Sequence, residues 1–116
     1  MSQGASQIAF IPLGPTVTIA ANSPAPTGVQ VPVSGAYTDQ GQFRVVNSGT
    51  VIVHLGYGPT AAAAQAAAVA STAGSPTNAI PIPAGAIEVY RFPAGAFFSA
   101  IAASATSVYM TPGQGL

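Results

Sequence analysis

So few side chains in this sequence can do chemistry that each can be weighed singly. His54 is the one candidate general base or metal ligand. An imidazole acts as acid, base or ligand only beside a carboxylate, a thiolate or a second imidazole. The 51–55 stretch sets His54 on the strand face opposite Val51, Val53 and Leu55, as a surface or interface histidine. Asp39 and Glu88 are the only acidic residues, and nothing in their spacing joins them as the paired carboxylates of sugar hydrolysis. Arg44 and Arg91 are the only basic ones. Glu88 and Arg91, three apart in a strand, leave it on opposite faces and do not pair there. Ser48 lies in Asn47-Ser48-Gly49, a corner rather than a nucleophile elbow, and Gly56-Tyr57-Gly58 has no lysine to make a phosphate loop. No catalytic, metal or cofactor site is expected. Tyr37, Tyr57, Tyr90 and Tyr109 leave open a sugar-stacking surface, though no Trp supports one.

Those four charges are the whole ionic complement of 116 residues, and they cancel. Ordinary domains carry about a quarter charged residues, and interspersed charge with a net excess keeps isolated globules dispersed. A chain without either is expected to work with much of its surface covered, as a component of an assembly. Two arginines are too few to neutralise a run of phosphates, so nucleic acid is excluded as a direct partner. With no cysteine there is no disulfide framework. The first seven residues lack the positive start of a secretory signal, and synthesis in a reducing cytoplasm is expected.

The elements that position these residues read as strands. Eleven Val and eight Ile stand against three Leu, a β-branched bias that suits a pleated surface. Gly and Pro make up about a fifth of the chain and punctuate it at the ~8–12-residue spacing of a sandwich or barrel. Strand runs are expected over residues 8–13, 16–21, 29–33, 42–47, 50–56, 87–92, 97–103 and 106–110. Val29, Val31 and Val33 are placed on one face, and Asn47-Ser48-Gly49 is a hairpin-like corner. Pro83-Ala84-Gly85-Ala86 recurs ten residues later as Pro93-Ala94-Gly95-Ala96, with glycine supplying the positive φ of a type II turn and proline its first set position. Between them Ile87, Val89 and Arg91 share one face and Glu88, Tyr90 and Phe92 the other.

One segment departs from this pattern. Residues 60–74 have helical composition, from Pro59 and Thr60 to Gly74, about four turns with no large apolar stripe. A helix of small residues gains most from close backbone packing, so it is expected against the sheets or a neighbouring subunit. The expected fold is all-β: one β-sandwich or jelly roll of seven to eight short antiparallel strands over residues 8–116, with a short Ala-rich helical insert and a flexible arm at residues 1–7. Residues 94–110 form an uncharged run, about 26 Å long as a helix. That is short of a ~30 Å bilayer core and diluted by Ser99, Ser104, Thr106 and Ser107. A membrane is therefore not the expected partner, and insertion is a third-ranked alternative.

At Arg44-Val45-Val46-Asn47-Ser48-Gly49-Thr50-Val51, at Ile82-Pro83-Ala84-Gly85-Ala86-Ile87-Glu88-Val89 and over residues 103–116 the chain resembles small virion proteins of tailed bacteriophages, the capsid decoration, cement and head-fibre proteins. The resemblance implies a non-enzymatic β-sandwich on the capsid exterior, a dimer or trimer that bridges major capsid subunits. The expected assembly residues are Ser2, Gln3, Ser6 and Gln7 of the arm, Ala61, Ala64, Gln65 and Ala68 of the insert, and Arg44 and Arg91. A carbohydrate- or receptor-binding module of a tail or fibre is the second reading.

Overall fold

The computed structural model describes residues 10–31, 40–93 and 95–114. The chain order is β1 (Ile11–Pro12), β2 (Val17–Ala21), β3 (Val29–Gln30), β4 (Gln40–Asn47), β5 (Val53–Gly58), α1 (Ala61–Ala67), β6 (Ile80–Ile82), β7 (Ile87–Pro93), β8 (Phe97–Ala102) and β9 (Thr106–Gln114). Two antiparallel sheets result, compatible with an all-β sandwich. Sheet A has the order β2-β9-β4-β7, and β1 continues the β2 edge along β9. Sheet B has the order β3-β8-β5-β6. The pairings are nested: β5 with β6, β4 with β7, β3 with β8 and β2 with β9, alternately in one sheet and the other.

The β-branched and aromatic bias has its outlet between the sheets. Ile19, Phe43, Val45, Phe92, Val108 and Met110 come from sheet A, and Val53, Leu55, Ile82, Phe98, Ala100 and Ala102 from sheet B, into one buried cluster. Phe92 is its aromatic hub, with ring centroids 5.0 Å from Phe98, 5.0 Å from Tyr57 and 5.8 Å from Phe43. The Phe92–Phe98 pair is edge-to-face, an arrangement that adds to the area term. The alternation within β7 is as expected, and the aromatic face is the inward one: Phe92 is buried and Tyr90 packs on the core, while Ile87 and Arg91 are exposed.

Several local expectations are corrected. The corner after Asn47 is not a hairpin. Asn47 ends β4 in sheet A and β5 begins in sheet B, so the corner carries the chain across the core. The buried Asn47 amide, and no ladder, holds this crossing: Nδ2 donates to Val51 O, Ile82 O and Pro83 O at 2.9, 3.0 and 3.2 Å, and Oδ1 accepts from Gly49 N–H at 3.0 Å. In the two repeated turns Gly85 and Gly95 have φ of 74° and 81°. Ala86 N–H and Ala96 N–H close onto Pro83 O and Pro93 O, so each proline stands one position earlier than expected. β3 stops at Gln30, shorter than the expected run; Val29, opposite the inward Phe98, is exposed, Val31 is fully buried, and Val33 lies outside the described residues. The described residues hold nine strands, one for each of the eight expected runs and a further one, β6, at residues 80–82.

The helix is half its expected length. Thr60 caps it, its Oγ1 accepting from Ala63 N–H at 3.1 Å. It ends at Ala67 with Ala68 as its C-cap, the last residue of the run buried against the glycines of sheet B, and an alanine run this short does not continue unsupported in water. Gly74, with φ of 78°, belongs instead to a turn bridged by Thr72 and Ser75.

Candidate functional site

The outer face of sheet A is built by strand register. One row runs Ile87 on β7, Val46 on β4, Tyr109 on β9 and Thr18 on β2. The next runs Val89, Arg44 and Thr111. Thr16 joins it through its hydroxyl, 2.7 Å from that of Thr111. A third sets Arg91 beside Gln42. Alternation gives this face, since Phe43, Val45, Tyr90, Phe92 and Met110 all turn inward. Ile87 is 58% exposed and Tyr109 37%, with Val46 and Val89 half-buried between them. The result is an apolar strip carrying two guanidinium groups. Beside Arg44 lies a shallow depression of about 360 Å³ walled by Phe10, Pro12, Thr16 and Thr111.

Arg44 and Arg91 are thus brought to one face. Glu88, the only described carboxylate, leaves β7 on the other side, where its Oε1 accepts from Tyr90 Oη at 3.2 Å. Desolvation by burial, then the charge of Glu88 and this hydrogen bond, raise the Tyr90 phenol above its ordinary value. Asp39 and Tyr37 lie outside the described residues, as do Ser2, Gln3, Ser6 and Gln7 of the expected arm.

The other expected assembly residues sit on the far side of the molecule. Helix α1 lies on the outer face of sheet B, over three glycines. A Cβ on Gly56 would stand 2.3 Å from Ala68 N, one on Gly58 2.8 Å from Ala63 Cβ, and one on Gly28 2.7 Å from Ala61 O. Ala64 and Ala68 are buried in this contact. They are spent within the chain and do not form the interface expected of them, because an alanine helix on a glycine floor leaves no gap for a second surface. Gln65 donates from Nε2 to Ala25 O at 2.9 Å, which ties the helix to the 22–28 loop. Ala61 lies half-buried at the helix start.

His54 faces outward from β5, with Pro81 and Ile101 as cross-strand neighbours. It joins Ser23, Val51, Ile52, Ala70 and Ile101 around an apolar hollow of about 220 Å³. Among the described residues no three His, Cys, Asp or Glu gather as a metal site. The three described tyrosines form no shared platform: Tyr57 opens on a cleft of about 270 Å³ with Pro59, Pro93 and Ala96, Tyr90 is half-buried, and Tyr109 lies on sheet A. Among the described residues no helix is long and apolar enough to cross a membrane. Residues 97–102 and 106–110 of the uncharged run lie in strands β8 and β9, which removes the helical insertion considered for them.

The sequence already paired Ile87 and Val89 with Arg91, but Val46 and Tyr109 joined them only through register. The signal that fixes the outward face is the aromatic pair Tyr90 and Phe92, whose larger area claims the core. Compared with known protein families, with curated proteins and with solved structures, the chain matches none.

Proposed function

We propose that this protein is a non-enzymatic structural component of a larger particle, in its most specific form a decoration or cement protein on a phage capsid exterior. The observation that carries the reading is the outer face of sheet A: Ile87, Val46, Val89 and Tyr109 stand together toward solvent in a chain with four charges. Exposed apolar patches on otherwise soluble domains mark interaction sites. Contacts of this sort are weak singly and become firm when repeated over a lattice. The fold reading is a jelly roll, because eight strands paired in nested fashion and dealt alternately to two sheets is how that architecture winds. The protein acts as a dimer or trimer that bridges major capsid subunits, made in the host cytoplasm and resident on the virion.

The test is co-sedimentation of purified protein with undecorated capsids, followed by cryo-electron microscopy of the pellet. Saturable binding at a fixed number of copies per capsid supports the role. Protein that stays in the supernatant at every concentration overturns it.

A further inference from the structure

The charges are distributed unevenly about sheet A. Arg44 and Arg91 both leave the outer face, one beside Val89 and Thr111, the other beside Gln42. Glu88 leaves β7 on the opposite side and is occupied with Tyr90. Every described cation therefore lies on the apolar strip, with no described carboxylate beside it. Asp39 lies outside the described residues.

We infer that the outer face of sheet A docks a second, different protein surface, one that is apolar at its centre and presents carboxylates to Arg44 and Arg91. This rests on the structural role proposed above and names the chemistry of its partner. Charge complementarity selects the occupant. A second copy meeting this face by a two-fold axis would gather four arginines and no described carboxylate in one interface, and like charges brought together there are costly. Nucleic acid would meet two cations and a strip of Ile87, Val46 and Val89 that offers its phosphates nothing. A carboxylate-bearing protein surface satisfies both parts of the face. Ile87 and Tyr109 give the area, and guanidinium groups bind carboxylates in bidentate fashion and fix the register. The half-buried setting of Arg44 among Val89, Val46 and Thr111 lowers the local dielectric, so its pairing gains more than that of a free surface arginine.

The probe is a random glutamate–tyrosine copolymer, with a lysine–tyrosine copolymer of equal length as control, titrated into the isotope-labelled chain and followed by amide NMR shifts. Saturable shifts at residues 44, 46, 87, 89, 109 and 111 with the acidic polymer alone support the inference. The Arg44→Gln/Arg91→Gln variant, which keeps the aliphatic stem and a polar end without the charge and folds with an unchanged spectrum elsewhere, loses roughly tenfold in affinity. Equal binding of the basic polymer, shifts centred on the His54 hollow or the Tyr57 cleft, or a face-to-face dimer in sedimentation velocity each overturn it. On undecorated capsids, wild-type affinity of the double variant overturns the charge assignment and leaves the structural role standing. Failure of the unaltered chain to sediment overturns the role itself, whatever the copolymers show.

Discussion

Asn47 donates from Nδ2 to the carbonyl oxygen of Ile82 at 3.0 Å, joining the last residue of β4 in sheet A to the last residue of β6 in sheet B. Two amide protons serve three carbonyls there, while Oδ1 holds Gly49 N–H. This one side chain replaces the ladder that a hairpin would have supplied, at the point where the chain changes sheets.

Asn47→Ala strips partners from buried carbonyls and is expected to destabilise the protein by about 3 kcal/mol. That lowers the Tm by about 10 °C for a domain of this size. Asn47→Asp keeps the acceptor for Gly49 but loses both donors. Calorimetry showing Asn47→Asp as stable as the parent would mean that the turn matters and the bridge between sheets does not.

The helix seat is tested at its floor. Gly56→Ala drives a Cβ against the backbone of Ala67 and Ala68, and overpacking against backbone costs about 1–3 kcal/mol. The helix lifts off, with loss of ellipticity at 222 nm and faster exchange of the Ala64 amide. Gly74→Ala meets nothing within 4 Å and bears only the strain of its positive φ, about 1 kcal/mol. It leaves the helical signal intact.

Alkaline stability reports on Tyr90. Its folded pKa is raised, so between the unfolded value of 10.0 and the folded one the native state holds the phenolic proton more firmly. Its contribution to stability is complete below pH 10 and disappears as the pH climbs through the folded value. Denaturant titrations from pH 9 to 12 are expected to show a falling limb that Tyr90→Phe flattens. Glu88→Gln removes the carboxylate beside the phenol and moves the limb toward pH 10.

Much of this architecture is legible in the amino-acid sequence. The β-branched bias, the turn glycines at 85 and 95 and the two faces of residues 87–92 all express local backbone and side-chain preference, which sequence carries directly. What it did not carry is long-range. Asn47-Ser48-Gly49 has the composition of a hairpin turn, and only the partners of the Asn47 amide, four and some thirty-five residues away, make it a crossing. The alanine run reads as one helix because propensity is blind to where the glycine floor ends. Of the expected assembly residues, Arg44 and Arg91 lie on the outer face of sheet A, whereas Ala64 and Ala68 are buried in the helix seat. Small residues serve an interface and an internal helix seat equally well, and the choice was made by Gly28, Gly56 and Gly58.

The central claim, that the outer face of sheet A is covered where the protein works, is tested most directly by hydroxyl-radical footprinting of the isolated chain and of the assembled particle. Tyr57 and Tyr109 are each 37% exposed and provide matched reporters on different surfaces. The account predicts strong protection of Tyr109 and Ile87 in the particle, with Tyr57 labelled as in the free chain. Equal labelling of Tyr109 and Ile87 in both preparations would contradict it.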